Sequence, residues 1–406
     1  MQSLKPKQKL VLKENERIGI INRGECALRF IRGVKEYNIL NKTNLKTVAF
    51  YIKDDAYLPF VRNADYRYAL ENLPLFNHIK GSIYMQREMM VNALEINQCG
   101  AVWVGWGFLS EDAEFAELLE RHGILLLGPS AKSMALLGDK ISAKALAEQN
   151  DVPILPWSAG AVRNLEEAKT VAEKIGYPVI VKAANAGGGR GIRFAYTAEE
   201  LPQQYNSARE ETIRITGSDI LFIEHYIANS RHLEVQTVRD RHKNVFSFGV
   251  RDCSVQRKNQ KIIEETPAVD LTDDIYSNIQ SSARKILTAA DYEGVATVEF
   301  IYCIDTKKYY FMEVNTRLQV EHTITEELYS IDLVKTQIDI AFNKQIDFSN
   351  VTAKGAVIEA RLNAEDAENG FIPAPGKIKL FAPPAGIGVR IDAGIETGAE
   401  ISSKFD

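Results

Sequence analysis

The sequence predicts an α/β fold in three units: a parallel sheet first, a small glycine-rich unit next, and a larger mixed sheet last. Three observations carry this. Through residues 17–135, short apolar runs alternate with helical periodicity, the pattern of a parallel sheet covered on both faces. A buried run carrying Lys182 then meets a loop holding Gly187, Gly188, Gly189 and Gly191. From His232 onward the strand-like runs lengthen, as in a larger sheet.

In order along the chain, residues 17–21 read as a short buried strand. It meets Asn22-Arg23-Gly24-Glu25, and residues 26–37 follow with helical spacing. Strands are expected at 46–51, 101–104 and 124–127, the last ending at Gly128-Pro129, with a helix over 113–122 before it. A helix is predicted over 136–148, and strand signals resume around the glycine loop. The expected divisions are 1–135, 136–228, containing a mobile lid over about 151–228, and 229–406. With 406 residues and 45% hydrophobic content, the chain can build more than one core.

Charge and cysteine usage narrow the function. Lys and Arg total 49 against 54 Asp and Glu, so no basic field exists for a nucleic-acid backbone, and no nucleic-acid partner is expected. Cys26, Cys99, Cys253 and Cys303 lack CxxC spacing, which argues against zinc or a disulfide scaffold. Cys253 is read as a packing residue. The first 17 residues are Lys-rich but lack the apolar run of a secretory signal, and no run approaches the roughly 20 apolar residues of a membrane span. The expected location is cytoplasmic, with an organelle matrix as the alternative, and no membrane partner is expected.

Two segments place ionic side chains where a core wants apolar ones: RDCSVQRKNQKIIEETPA (251–268) and FMEVNTRLQVEHTITE (311–326). The second begins as a strand, and ATVEFIYC before it reads as another. A loop over 304–308 sets Cys303 opposite Tyr309 and, counting back, Glu299 opposite Glu313. Facing carboxylates repel and rarely sit among Val, Phe and Tyr without a partner. A hard cation resolves both problems. Asn315 shares the face of Glu313 and offers a third oxygen, and so few protein ligands suit Mg²⁺ better than Ca²⁺. The plainer reading is a solvated hairpin face with lysine partners.

The glycine loop, YPVIVKAANAGGGRGI, can close over phosphates, since glycines let backbone N–H groups approach an anion and Lys182 adds a point charge. It is neither GxxxxGK[ST] nor GxGxxG, and a glycine run alone is more often a turn.

Taken together, this loop, Gly138-Asp139-Lys140, RDCSVQRKNQK and EVNTRLQVEH resemble the biotin carboxylase family of ATP-grasp enzymes, in family order from Asn22 to Asp406. The resemblance implies an ATP-grasp fold with an N-terminal Rossmann-like domain, a small α/β lid and a larger C-terminal unit. It implies that ATP and bicarbonate form carboxyphosphate, and that CO₂ passes to biotin held on a carrier protein. Lys140, Lys182, Gly187, Gly188, Gly189 and Gly191 would hold phosphates; Glu224 and the backbone near Ile227 would receive adenine; His232 and Gln256 would lie by the nucleotide. Glu299, Glu313 and Asn315 would hold Mg²⁺, or Mn²⁺ in its place. Lys261, Arg317 and the backbone around Gln319 and Val320 would orient bicarbonate, Glu321 would be the base, with burial beside substrate raising its basicity or carboxyphosphate breakdown supplying the stronger base for biotin, and Arg361 would stabilise the biotin enolate. A carboxyltransferase and a carrier are the implied partners, and a homodimer is common in the family.

Departures from the family are Asn259 in place of a histidine, Asn185 and Ala186 in the glycine loop, His225 in place of a lysine, and Val250 in place of an acid. The chain stops at Asp406 inside the family's Tyr-Tyr-Asp region, so an incomplete last domain is expected. An ATP-grasp ligase for another carboxylate and a non-catalytic ATP-binding module are the competing functions. Arg361 has a plainer alternative as well, a surface pair with Glu365 or Asp366.

Overall fold

The computed structural model describes residues 9–184 and 191–405. Gly187, Gly188 and Gly189, assigned to the phosphates on resemblance, lie outside the described residues.

The first unit is a five-stranded parallel sheet. Its strands are β1 (Arg17–Ile20), β2 (Lys46–Tyr51), β3 (Tyr66–Ala69), β4 (Ala101–Trp103) and β5 (Leu125–Leu126), in the order β3-β2-β1-β4-β5. Helices α1 (Gly24–Asn41), α2 (Pro59–Asn63), α3 (Arg87–Ile96) and α4 (Ala113–His122) belong to it. The central strands β1, β2 and β4 bury both faces, as parallel strands do, while the edge strand β3 is largely exposed. Phe30 of α1 stacks on Trp103 with ring centroids 4.4 Å apart.

The single helix expected over 136–148 is two, α5 (Ala131–Gly138) and α6 (Lys140–Gln149). Asp139 breaks them: it takes an extended conformation and its carboxylate caps α6 by accepting from the Ser142 N–H at 2.7 Å. The break makes Lys140 the first residue of α6.

A three-stranded antiparallel sheet follows: β6 (Val179–Ala183), β7 (Ile192–Ala195) and β8 (Leu221–His225), ordered β7-β6-β8, with α7 (Leu165–Ile175) and α8 (Leu201–Thr216). It has its own core, formed by Ala168, Val179, Val181, Leu201, Tyr205 and Ile223 among others.

The large sheet has six strands: β9 (Ser230–Arg239), β10 (Val245–Arg257), β11 (Gln260–Thr266), β12 (Gly294–Cys303), β13 (Lys308–Asn315) and β14 (Val357–Ala360). The order is β13-β12-β9-β10-β11-β14, and every pairing is antiparallel. The expected mixed character reduces, among the described residues, to one isolated parallel bridge from Ile154 to Phe311. Short connections explain this, because β9-β10, β10-β11 and β12-β13 are hairpins, which cannot be parallel. The β10-β11 turn is Lys258-Asn259, both at positive φ (50° and 63°); asparagine tolerates that region, which accounts locally for Asn259. Helices α9 (Asp273–Ala289), α10 (His322–Tyr329) and α11 (Leu333–Ala341) cover the sheet. Trp103 donates to Gln337 Oε1 at 3.0 Å, joining the first unit to α11. Among the described residues no helix is long and apolar enough to cross a membrane.

Candidate active site

The β12-β13 hairpin sets the site, by a different route from the one expected. Its turn is four residues, 304–307, because Cys303 pairs with Lys308 rather than Tyr309. A bulge then inserts Met312, and the extra residue restores the pairing of Glu299 with Glu313. On the other side of β12, Glu299 lies opposite Glu234 of β9. Three acids thus stand in a row across three strands.

Protein cations answer this repulsion. Lys261 of β11 donates to Glu234 at 2.6 Å, to Glu299 at 3.1 Å and to Glu321 at 2.7 Å. His232 Nε2 lies 3.1 Å from the other Glu299 oxygen, and Lys140 lies 2.7 Å from Glu313. Burial pushes the Glu299 carboxyl up, but Lys261 and His232 hold it well below the usual range. Burial likewise pulls Lys261 down, and its three carboxylates outweigh that and raise it well above its ordinary value. The lysine partners of the plainer reading are present, but the hairpin face is not solvated, with Glu299 and Asn315 buried. The donor set still fits a hard dication: Glu299, Glu313 and Asn315 present only oxygens from neighbouring strand positions, once Lys140 and Lys261 take other partners. The Asn315 amide now donates to Glu299 at 2.9 Å, and its oxygen accepts from Arg317 at 3.0 Å.

Glu321 sits at the N-terminus of α10, 2% exposed. One oxygen accepts from Lys261 and the other from Arg361 at 3.0 Å. The expectation that burial raises its basicity meets an opposing effect in the substrate-free site. Burial does push it up, but Lys261, Arg251 and Arg361 hold it well below the ordinary carboxylate range. Arg361 follows β14 and also donates through Nε to Glu264 at 2.7 Å. Its suggested surface partners are elsewhere, since Glu365 pairs with Arg257. Arg317 pairs with Glu111 at 2.8 Å and not with Glu321.

Lys140, Lys182, Glu224, Ile227, His232, Gln256, Lys261, Glu299, Glu313, Asn315, Arg317, Gln319, Val320, Glu321 and Arg361 all line one open cleft of about 2560 Å³, whose wall also takes in Asn22 to Cys26 of the first unit and residues of the C-terminal segment. Gln256 bridges the Cys253 carbonyl (2.9 Å) and His232 Nδ1 (3.2 Å). Gln319 donates to Glu299 at 3.1 Å. Gly191, at φ +68°, stands at the foot of β7, where a Cβ would meet Ala183 at 2.9 Å; it is not among the residues lining the cleft. Glu224 is buried with its two oxygens on Lys144 and Lys182, so Lys182 rests here on a carboxylate. Cys253 is fully buried, its thiol pushed well up by burial, in keeping with a packing role.

Sequence reasoning missed five charged residues. Arg251 is fully buried and donates to Glu234, Gln236, Thr325, Thr297 and Gln319 at 2.6–3.1 Å. Glu234, Glu264, Glu111 and Lys144 complete the set. The signal for Glu234 was present: His232, Glu234 and Gln236 repeat with period two on one strand face. Glu264 lies within the ionic segment 251–268 but its partner Arg361 is far off in sequence, and Glu111 carried no local signal.

Comparison with known proteins places this geometry. Residues 14–134 match the family described as biotin carboxylase, N-terminal domain; residues 139–348 match the carbamoyl-phosphate synthase L chain, ATP binding domain; and residues 359–406 match the biotin carboxylase C-terminal domain. Biotin carboxylase 1 of Bacillus subtilis is 39% identical over 389 residues, 95% of this chain and 84% of that protein. A crystal structure of a biotin carboxylase–β-γ-ATP complex from Campylobacter jejuni superposes with a TM-score of 0.89 at 36% identity, covering 96% of this chain and 85% of that one. The biotin carboxylase domain of Hydrogenobacter thermophilus 2-oxoglutarate carboxylase, a dimer in complex with MgADP, ADP and bicarbonate, gives 0.90 at 37%, covering 98% and 85%. The fold is thus an ATP-grasp fold behind a Rossmann-like unit. The chain belongs to the biotin carboxylase family.

Proposed function

We propose that the chain is a biotin carboxylase, using ATP and bicarbonate to carboxylate biotin on a carrier protein through carboxyphosphate. The observation that carries this is Glu321 held between Lys261 and Arg361 in the cleft that also contains Lys140, Lys182 and the Glu299-Glu313-Asn315 set. A ligase for another carboxylate needs the nucleotide groups but has no use for that arrangement.

In this reading Lys140 and Lys182 take nucleotide phosphates, with Glu224, Ile227, His232 and Gln256 around the nucleoside. Glu299, Glu313 and Asn315 hold Mg²⁺, which when bound neutralises charge on the phosphates. Lys261, Arg317 and the backbone at Gln319 and Val320 hold the bicarbonate oxyanion, for which the guanidinium fork is suited. Glu321 takes the bicarbonate proton. In the resting site it is too weakly basic, and bicarbonate corrects this by drawing Lys261 toward its own charge. Arg361, fixed by Glu264, then faces the oxygen that becomes anionic as biotin N1′ gives its proton to the phosphate released when carboxyphosphate breaks down to CO₂. The carrier, a carboxyltransferase and a second copy of the chain are the proposed partners, and a cytoplasmic location accompanies them.

The test is ADP release with free biotin. Release that requires bicarbonate and rises with biotin is expected. Release driven only by another carboxylate, or no release from folded protein that binds MgATP, would overturn the reading.

A further inference from the structure

Lys144 lies one turn after Lys140 on α6 but faces inward, its side chain 2% exposed and outside the cleft lining. Its ammonium donates to one oxygen of Glu224, while Lys182 of β6 donates to the other. Glu224 is itself 3% exposed, and the Trp157 ring lies 5.8 Å from the Lys144 nitrogen. One buried anion therefore has two cations. Burial lowers the pKa of Lys144 despite the pull of Glu224, and Lys182 lowers it further, while the two lysines together hold Glu224 down to about 2 against its own burial. A second buried cation is a poor device for stability alone, because its desolvation is not repaid by a carboxylate already paired. The two lysines differ in access: Lys182 lines the cleft and Lys144 does not.

We propose that Lys144 is a positioning residue, the standing counter-charge of Glu224, which frees Lys182 to leave that carboxylate for the nucleotide phosphates. This rests on the reading of Lys182 as a phosphate ligand. Before nucleotide arrives, Lys182 is parked on Glu224; afterwards Lys144 alone keeps the carboxylate ionised and in place. Without Lys144, departure of Lys182 strands a buried charge, and Glu224 must take up a proton. The other charged group near Lys144 is Glu148, on the same helix. In the variant, the Glu224 pKa is low in the free protein, where Lys182 pairs with it, and raised in the complex. Nucleotide binding then takes up a proton, and affinity rises as pH falls.

The experiment is calorimetric titration of the full chain with a non-hydrolysable MgATP analogue from pH 6 to 9, in buffers of different ionisation enthalpy. Wild type is expected to show little proton uptake. Lys144→Met is expected to lose affinity by about tenfold for each pH unit as the pH rises from the low Glu224 pKa of the free protein to the raised pKa of the complex, levelling off above it, with uptake of up to one proton per nucleotide within that interval. In a Glu224→Gln background the same Lys144→Met change should have no effect, and that pair remains informative if the single variant folds poorly. Equal affinity and no proton uptake in Lys144→Met, or an undiminished loss in the Glu224→Gln background, would overturn the counter-charge role. Lys182→Met separates the layers. Unchanged affinity there removes the phosphate-ligand reading beneath the proposal; lost affinity there with an indifferent Lys144→Met removes the proposal alone.

Discussion

Glu321→Gln tests the proposed chemistry most directly, because the site predicts what it changes and what it leaves. The carboxylate accepts from Lys261 and Arg361, but each cation has other acceptors: Glu234 and Glu299 for Lys261, Glu264 for Arg361. The amide keeps an oxygen for one of them, so the fold should survive and MgATP affinity should change little. What is lost is proton acceptance, a contribution of about 10²–10⁴-fold in rate, or roughly 3–5 kcal/mol of barrier. The assay is bicarbonate-dependent ADP release at saturating ATP, with bicarbonate-independent hydrolysis as the baseline. A thermal melt of the same sample distinguishes lost chemistry from lost protein. The melt carries its own sign. A carboxyl depressed in the folded state stabilises above its unfolded pKa, about 4.5, and that contribution fades as pH falls below it. The stability gap between wild type and variant should therefore narrow in acid. Wild-type turnover in Glu321→Gln would refute the base assignment. So would a loss of turnover matched by loss of MgATP affinity and melting temperature, which would make the residue structural.

Three further outcomes follow from the same contacts. Glu299→Gln should raise the Mg²⁺ concentration needed for nucleotide binding and, by stripping Lys261 and His232 of an ionised partner, destabilise the metal-free fold by about 1–3 kcal/mol in urea titration; a more stable variant would restore the picture of two repelling acids. Arg251→Met removes a buried cation from Glu234 and four neutral acceptors and should lose about 3–5 kcal/mol in the same titration, with a loss under about 1 kcal/mol showing that the network is dispensable. Burial, with Glu264 and Glu321 adding repulsion, pushes Glu359 up to about 8. Between about pH 4.5 and 8 only the unfolded chain ionises it, so stability falls with rising pH, and Glu359→Gln should remove part of that slope; an unchanged slope would show that Glu359 is not the group responsible.

Legibility in the sequence depended on whether a feature was local. The alternation of strands and helices in the first unit, and the strand at 46–51 and helix at 113–122, are carried by runs of adjacent residues and match the observed bounds. Breaks in regular structure were not legible in the same way. The split at Asp139 and the bulge at Met312 are decided by a cap and by strand packing, and the apolar pattern runs through both. Glu299 and Glu313 were placed opposite each other only because a loop one residue too long offset an unforeseen bulge of one residue. At the site, side chains inside recognisable motifs were legible, whereas their partners were not. Arg317 finds Glu111 about two hundred positions away, and Arg361 finds Glu264 across a strand pair, so no window of sequence contains either contact. The direction of the Glu321 shift in the substrate-free site was not legible for the same reason: burial can be guessed from neighbouring residues, but the three cations that outweigh it come from β10, β11 and the end of β14.

Those partners give the resting cleft a common logic. Each cation proposed for a substrate oxygen now rests on a carboxylate: Lys140 on Glu313, Lys182 on Glu224, Arg317 on Glu111, and Lys261 on three acids. The carboxylates proposed for the metal rest in turn on those cations. A nucleotide alone would take Lys140 and leave Glu313 bare beside added negative charge, which the cleft resists. Mg²⁺ and nucleotide together exchange partners with the pair, the cation going to the phosphates and the carboxylate to the metal, so local charge is nearly conserved. The same exchange governs the base. While Lys261 and Arg361 both face Glu321, they hold its carboxyl well below the ordinary range, which disfavours the proposed proton transfer. Only an oxyanion that competes for Lys261 relieves that restraint, so the proposed base becomes competent when bicarbonate is present. Coupling of ATP cleavage to bicarbonate would then reside in the ion pairs themselves, with no separate gate required.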